Sequence, residues 1–267
     1  MDTFSARAST DPAADFYIGA LRTLQQIGIP FLIGGAFAFS HYSQVPRDTK
    51  DIDVFVKPDD CLRVLDAFRS LGYTTEVAFP HWLGKIHDGE HLIDVVFSSG
   101  NAVARVDDLW FEHAPKTNLL GLIVRLCPPE EMIWSKAFVQ ERERFDGADV
   151  VHLLRETGPS LDWPRLMMRF GDHWRVLLSH VILFGFVYPD KRQNIPDWVM
   201  DELVRRLSVS RPNLQNDVCY GTLLSREQYL HDIENLKYRD SRLAPHGTMT
   251  TEEVDMWTAA IQKKPLT

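Results

Sequence analysis

The sequence predicts an α/β N-terminal part, with a mixed β-sheet flanked by helices, followed by an all-helical C-terminal part. Two observations predict this division. Short apolar runs typical of β-strands are interspersed with helical segments up to Cys127. Beyond the Cys127-Pro128-Pro129 stretch, apolar residues recur only at helical spacing. We therefore expect two domains, residues 1–127 and residues 128–267.

Local signals justify the elements of the N-terminal part. Gly28 and Pro30 end the first helix, and the Gly34-Gly35 pair separates a short strand from the next helix. We expect Asp59 or Asp60 to be the N-cap of the third helix. The predicted elements are a helix over 14–27, a strand over 31–33, a helix over 36–42, a strand over 51–57, a helix over 59–71, and strands over 73–79, 83–87 and 91–97. The Asp88-Gly89-Glu90 turn predicts that the last two strands form a hairpin.

The C-terminal part has helical periodicity throughout. Its predicted helices cover residues 129–144, 148–156, 164–187, 196–208 and 251–263. An interruption at Asp146-Gly147 separates the first two of them. Trp163, Trp174 and Trp198 are expected to lie in a helical core rather than to stack on bases.

Composition sets the class of protein. The chain has 267 residues, of which 45% are hydrophobic and 25% charged, as in ordinary globular proteins. No apolar run approaches the roughly 20 residues of a membrane helix, and no signal peptide is visible, so no membrane partner is expected. Three widely spaced cysteines indicate no disulfide framework, which favours the cytoplasm. A net charge of −8 argues against sequence-independent nucleic-acid binding.

Two aspartates share one face of a predicted core strand. In the segment Asp51-Ile52-Asp53-Val54-Phe55, alternate side chains point the same way, so the two carboxylates lie roughly 6–7 Å apart on one face. Like charges at this distance repel each other and resist burial. A divalent cation between them removes both objections, because hard oxygen ligands suit Mg²⁺.

A third acid lies in the hairpin strand HLIDVVF. Asp94 is centred among apolar residues, where a carboxylate is rarely found without a specific reason. If this strand neighbours the strand over 51–57, Asp51, Asp53 and Asp94 converge. Three carboxylates on neighbouring strands are sufficient to hold two metal ions that act on a phosphoryl group.

The Gly34-Gly35 pair completes this pattern. Glycines between a strand and a helix let the backbone approach a phosphate closely, and the N-terminus of a helix favours an anion. Phosphate at the glycines and metal ions at the aspartates belong to the same chemistry.

The order of these motifs resembles the DNA polymerase β-type nucleotidyltransferase superfamily, which has Gly-Gly, then Asp-x-Asp in a strand, then a lone Asp in a later strand. The stretch IGGAFAFSHYSQVPRDTKDIDVFV, residues 33–56, is similar to its AbiEii-like and minimal bacterial branch. An Arg-x-Thr-x-Asp-x-Asp string is common there, and residues 47–53 match it.

The resemblance implies roles for the matching residues. Gly34 and Gly35 would lie at the triphosphate of an NTP, and Arg47 and Thr49 would contact the nucleotide. Asp51, Asp53 and Asp94 would bind two Mg²⁺ ions, for which Mn²⁺ can substitute, and Asp94 would also be the candidate base. The alternative for Arg47 and Thr49 is that they only brace their loop, by pairing with Asp48 or Asp51.

A second patch extends the resemblance into the helical part. The stretch EEMIWSKAFVQERERFDGADVVHLL is similar to a helical pattern of AbiEii-like enzymes, which makes Lys136 a candidate phosphate contact and Asp149 a candidate for orienting it. A solvated charged face remains the alternative for Lys136, and a helix cap for Asp149. Lys85, in the strand before Asp94, is expected on the surface, with a contact to the triphosphate as the alternative.

These observations predict a Mg²⁺-dependent nucleotidyltransferase that transfers an NMP from an NTP to an acceptor and releases pyrophosphate. The helical part would close the cleft and select the acceptor. A small-molecule acceptor is favoured over a tRNA end or a protein side chain. Two alternatives stay open: a nucleotide- or partner-binding component of a toxin–antitoxin pair with weak or no catalysis, and a metal-stabilised interaction domain. The sequence does not indicate the base of the NTP or the oligomeric state.

Overall fold

The computed structural model describes residues 12–47, 49, 51–211 and 217–261. The chain divides into two compact units. Unit 1 consists of the described parts of Met1–Ser40, Pro46–Ser99 and Arg105–Pro128, and unit 2 of His41–Val45, Gly100–Ala104 and the described part of Pro129–Thr267.

Unit 1 has the predicted α/β class. Its elements are α1 (Pro12–Gln26), β1 (Leu32–Ile33), α2 (Gly35–Ser43, whose last three residues belong to unit 2), β2 (Asp51–Phe55), α3 (Pro58–Ser70), β3 (Thr74–Phe79), β4 (Leu83–Asp88), β5 (His91–Val96), α4 (Asp108–Glu112), β6 (Lys116–Leu119) and β7 (Leu122–Arg125). The short helix α4 and the β6–β7 hairpin were not predicted, because neither has a long periodic segment.

Five strands of unit 1 form the predicted mixed sheet. Their order is β1-β2-β5-β4-β3, in which β2 and β5 are parallel and the other neighbours are antiparallel. The predicted hairpin is confirmed, since β4 pairs with β5 across the Gly89-Glu90 turn. Gly89 has a φ of +57°, a left-handed conformation that glycine adopts without steric cost.

The two faces of this sheet differ in polarity, as the alternation in β2 predicts. Ile52 and Val54 are fully buried, whereas Asp51 and Asp53 are partly exposed on the opposite face. Helix α3 packs against the apolar face, because a Cβ added to Gly84 of β4 would lie 3.0 Å from a Leu65 methyl group. The carboxylates therefore line the face of the sheet that α3 does not cover.

The predicted cap of α3 is wrong. The helix begins at Pro58, its N-cap is Lys57, and no side chain caps it. Proline suits the first helical position because its φ is already helical and it has no N–H group to satisfy. Asp59 and Asp60 lie in the first turn instead, where their charges still favour the helix dipole.

Unit 2 is mainly helical. Its elements are α5 (Pro129–Ala137), α6 (Gly147–Thr157), α7 (Trp163–Phe170), α8 (Trp174–Val187), α9 (Asp197–Val209), β8 (Val218–Cys219), α10 (Leu230–Glu234), β9 (Arg239–Asp240) and α11 (Thr251–Ala259), with short 3₁₀ turns between them. The prediction of an all-helical part misses one small parallel pair, β8 with β9.

Three predicted helices of unit 2 are shorter than expected or divided. The helix predicted over 129–144 ends at Ala137, and a bridge between Gln140 and Phe145 follows. The helix predicted over 164–187 is divided at Gly171, whose φ of +46° interrupts a right-handed helix. The helix predicted over 251–263 ends at Ala259, and its residues 262–263 lie outside the described residues.

Over the ranges that the structure describes, no helix combines the length and the apolar character that crossing a membrane requires.

Candidate functional site

The three predicted carboxylates lie on one face of two neighbouring strands. In the parallel pair of β2 and β5, Asp53 is opposite Asp94 and Asp51 is opposite Leu92. Opposed residues of neighbouring strands point to the same face, and the strands lie about 4.8 Å apart. The structure therefore brings Asp53 and Asp94 side by side, with Asp51 on the same face two residues before Asp53.

Gly35 places the N-terminus of α2 against Asp53. A Cβ added to Gly35 would lie 1.6 Å from Asp53 Oδ2, so the carboxylate occupies the space of the missing side chain. Gly35 also has a φ of +53°, which other residues adopt at a cost. Glycine is thus required here for two reasons, its conformation and the close approach of a functional side chain.

Gly34 serves the packing of the same turn. Its N–H donates a hydrogen bond of 2.9 Å to the Asp53 carbonyl oxygen, which fixes the turn to β2. A Cβ at Gly34 would lie 2.2 Å from the Phe55 ring and 3.1 Å from Cys127 Sγ. Any larger residue would push the start of α2 away from the strand that carries Asp51 and Asp53.

The helix that begins at Gly35 adds a favourable field for anions. α2 is nine residues long, and its first turn is closed by a 3.1 Å hydrogen bond from the Ala38 N–H to the Gly34 carbonyl. The N–H groups of a first helical turn have no partner within the helix and carry partial positive charge. The Gly34-Gly35 turn therefore combines close backbone approach with a helix N-terminus, beside the carboxylates of β2.

Lys85 also belongs to this face, in contrast to the expectation of a surface residue. It lies opposite Asp94 in the β4–β5 hairpin, and its Nζ donates a hydrogen bond of 2.7 Å to Asp94 Oδ1. The side chains of Lys85 and Asp94 are 23% and 21% exposed. The register of the predicted hairpin was the signal that could have paired them.

Four charged side chains form one transverse row across the sheet. Glu76 of β3 is opposite Lys85, Lys85 is opposite Asp94, and Asp94 is opposite Asp53. Glu76 Oε1 also lies 3.1 Å from His87 Nε2, on the same face of β4. The row alternates in sign only up to Asp94, where two carboxylates become neighbours.

The two residues predicted to contact the nucleotide make local contacts. The Arg47 guanidinium carbon lies 4.1 Å from the centre of the Phe39 ring, a cation–π geometry. Thr49 Oγ1 donates to the Asp51 carbonyl at 2.9 Å and accepts from the Asp51 N–H at 3.2 Å. Thr49 therefore braces the start of β2. The described contacts leave the nucleotide roles of both residues as predictions.

The predicted phosphate contact in unit 2 forms an ionic cluster. Lys136 Nζ lies 2.7 Å from Asp149 Oδ2 and 3.0 Å from Asp146 Oδ2, and Arg144 donates two hydrogen bonds of 2.9 Å to Asp146. Burial by itself would raise the pKa of Asp146, but the hydrogen bond from Arg144 and the charge of Lys136 outweigh it and hold this pKa at about 2. Lys136 is thus held by Asp149, the residue predicted to orient it, and by Asp146, and its contact to phosphate stays a prediction.

The chemistry of the donors fits Mg²⁺. Carboxylate oxygens are the ligands that this ion prefers, and both Asp53 and Asp94 present them from adjacent positions on the polar face. The described residues nevertheless contain no group of three His, Cys, Asp or Glu side chains close enough to surround one ion. In the observed arrangement, one oxygen of Asp94 is engaged by Lys85.

No family model matches the chain. No curated protein matches it either.

The solved structures to which this chain is similar include nucleotidyltransferases. The antibiotic-resistance factor ANT(2'')-Ia is 17% identical with a TM-score of 0.44, and the match covers 62% of this chain and 95% of that chain. A nucleotidyltransferase-like protein from Paracoccidioides brasiliensis is 18% identical with a TM-score of 0.45, covering 70% and 93%. The lincosamide antibiotic adenylyltransferase LnuA is 15% identical with a TM-score of 0.38, covering 54% and 96%.

Proposed function

We propose that this chain is a nucleotidyltransferase that transfers an NMP from an NTP to an acceptor hydroxyl or phosphate and releases pyrophosphate. The observation that carries the proposal is the juxtaposition of three features: Asp53 opposite Asp94, Asp51 on the same face, and the glycine turn at Gly34-Gly35 against Asp53. The glycine turn before α2 would bind phosphate, and the carboxylates of β2 and β5 next to it would supply hard oxygen ligands for a metal ion.

The proposed site holds the nucleotide through its backbone. Gly34 and Gly35 and the N–H groups of the first turn of α2 would receive the triphosphate, since they combine small size with partial positive charge. Arg47 and Thr49 stay proposed contacts to the nucleotide, and Lys136 a proposed contact to its phosphates.

The carboxylates of Asp51, Asp53 and Asp94 would hold two Mg²⁺ ions, or Mn²⁺ in their place. Bound there, the ions would supply charge neutralisation for the phosphoryl group during in-line displacement. The chain itself would position the reacting groups, and a carboxylate oxygen of Asp94 would accept the proton of the attacking hydroxyl.

We assign acceptor selection to the helical part, residues 128–267, and favour a small-molecule acceptor over a tRNA end or a protein side chain. Support comes from the net charge of −8, which suits a small cationic acceptor better than a polyanion. We place this reaction in the cytoplasm, where NTP and Mg²⁺ are both present.

Transfer of label from α-labelled NTPs tests the proposal. Each of the four NTPs is incubated with Mg²⁺ or Mn²⁺ and with cationic small molecules, tRNA or protein as acceptors. We expect Asp53→Asn to abolish transfer while circular dichroism and melting temperature stay unchanged, because the variant loses a metal ligand and keeps the shape of the side chain. Asp66→Asn on α3 is the control, since Asp66 is a surface residue paired with Arg69.

Two results would contradict the proposal. A well-folded Asp53→Asn variant that still transfers label would exclude the mechanism. Binding of NTP without transfer to any acceptor would favour the alternative, a nucleotide- or partner-binding component of a toxin–antitoxin pair.

A further inference from the structure

The ammonium group of Lys85 is paired with Asp94, one of the proposed metal ligands. Nζ lies 2.7 Å from Asp94 Oδ1, and both side chains are less than a quarter exposed, at 23% and 21%. An ion pair in such a partly desolvated place is stronger than one on an open surface. Mg²⁺ approaches its oxygen ligands to about 2.1 Å, so an oxygen that holds an ammonium group must be released before it can bind the ion on that side.

The backbone keeps Lys85 next to Asp94, where it competes with a metal ion for the carboxylate. Because β4 and β5 are joined by a two-residue turn, Lys85 is directly opposite Asp94 and must share its face of the sheet. A different rotamer of Lys85 can break the contact, but Lys85 cannot leave the face that carries Asp53 and Asp94.

A second carboxylate lies on the other side of Lys85. Glu76 of β3 is opposite Lys85 in the register of the β3–β4 pair, and its side chain is 54% exposed. Lys85 therefore has two carboxylate neighbours in one row, Asp94 towards the proposed site and Glu76 away from it. A long and flexible lysine side chain can pair with either one.

We propose that Lys85 is a positioning residue that competes with a divalent cation for Asp94 and swings towards Glu76 when Asp94 binds the cation. Lys85 thereby sets the metal affinity of the site. The inference rests on the proposed function only in taking Asp53 and Asp94 as metal ligands. It adds Lys85 as a residue that weakens the binding of a divalent cation without nucleotide.

Binding of Mn²⁺ to the full chain without nucleotide, followed by the electron paramagnetic resonance signal of free Mn²⁺, tests this inference. We expect Lys85→Met to bind Mn²⁺ about tenfold more tightly than the unmodified chain, because a unit charge adjacent to the ligand is removed. Lys85→Arg keeps the charge and is expected to bind like the unmodified chain. Glu76→Gln removes the second partner and is expected to weaken binding several-fold.

A matched control separates a local effect from a change of net charge. Lys57→Met removes the same charge from unit 1, where Lys57 pairs with Asp108, and is expected to leave Mn²⁺ affinity unchanged. Adding Asp94→Asn to Lys85→Met is expected to abolish the gain. Melting temperatures without metal verify that every variant is folded.

The inference is overturned if folded Lys85→Met binds Mn²⁺ no more tightly than the unmodified chain, or if Lys57→Met produces an equal gain. Its failure is distinguishable from that of the proposed function, because binding is measured without NTP or acceptor. A gain in Mn²⁺ affinity in a chain that transfers no label supports the inference and contradicts the proposed function. If the unmodified chain transfers label but Lys85→Met has an unchanged affinity for Mn²⁺, the proposed function is supported and the inference is contradicted.

Discussion

Two clusters of charged side chains in this chain differ in their balance of charge. In unit 1, the row of Glu76, Lys85, Asp94 and Asp53 contains three carboxylates and one ammonium group, and it is partly open to solvent. In unit 2, Lys136 and Arg144 face Asp146 and Asp149 in equal numbers, and the Asp149 side chain is only 4% exposed.

The difference indicates which cluster contributes more to stability, a contribution that is separate from the proposed contact of Lys136 to phosphate. Buried charges must be balanced, because an unpaired buried charge is costly, and the buried Asp146 and Asp149 each have a partner of opposite charge within 3.0 Å. Two carboxylates side by side on a partly exposed face, those of Asp53 and Asp94, suit a divalent cation from solution. We therefore expect variants of the unit 2 cluster to change stability, and variants of the unit 1 cluster to change metal binding and transfer.

Lys136→Met is expected to have the largest effect on stability. It leaves two carboxylates near each other with only Arg144 to balance them, so the free energy of unfolding should fall by about 3 kcal/mol. Urea unfolding followed by circular dichroism measures this. Lys191→Met, at an exposed lysine 3.8 Å from Asp190, is the control and should change stability by less than about 0.5 kcal/mol. A stable Lys136→Met variant with a raised KM for NTP would reverse the assignment and support the phosphate role.

Gly35→Ala tests the close approach in unit 1. The new Cβ would displace the Asp53 carboxylate, and a misplaced catalytic group should lower the rate of transfer by about 100-fold. Gly28→Ala is a matched control, because Gly28 also has a positive φ, +70°, but nothing lies within 4 Å of an added Cβ. Both variants incur the backbone strain, and only Gly35→Ala should lose transfer. Equal rates in the two variants would contradict the role of this contact.

The pKa of Asp146 predicts how the unit 2 cluster responds to pH. Since the pKa is about 2 in the folded chain and 3.8 is the ordinary value, the folded state binds this proton less readily than the unfolded state. The stabilisation, about 2 kcal/mol, is thus complete above about pH 5 and is lost as the pH falls through 2.

The comparison of the unmodified chain with Asp146→Asn at several pH values isolates this contribution. The difference in unfolding free energy between the two should stay constant down to about pH 5 and shrink from there to pH 2. A difference that stays constant over this range would show that Asp146 is not held ionised by Lys136 and Arg144.

Much of the fold and of the site was predictable from local sequence. The alternation of Asp51, Ile52 and Asp53 correctly placed two carboxylates on the polar face, and the Asp88-Gly89-Glu90 turn correctly predicted the β4–β5 hairpin. Period-2 patterns and turn residues act over short distances, so a single sequence contains them in full.

The rest depended on contacts between distant segments. The parallel pairing that sets Asp53 opposite Asp94 joins strands separated by α3, β3 and β4, and no local pattern gives its direction or register. The packing of the Asp53 carboxylate against Gly35, where an added Cβ would lie 1.6 Å from Oδ2, is likewise a tertiary contact. The pairing of Lys85 with Asp94 lies between these cases, since the hairpin register predicts it once the turn is known.

Thr49→Val is expected to have the smallest effect and sharpens the comparison within unit 1. The hydroxyl of Thr49 hydrogen-bonds both backbone groups of Asp51, so its loss should cost about 1 kcal/mol of stability and lower transfer only a few-fold. Thr49→Ser keeps the hydroxyl and should behave like the unmodified chain. If Thr49→Val instead raises the KM for NTP more than about tenfold without changing the melting temperature, the hydroxyl contacts the nucleotide directly.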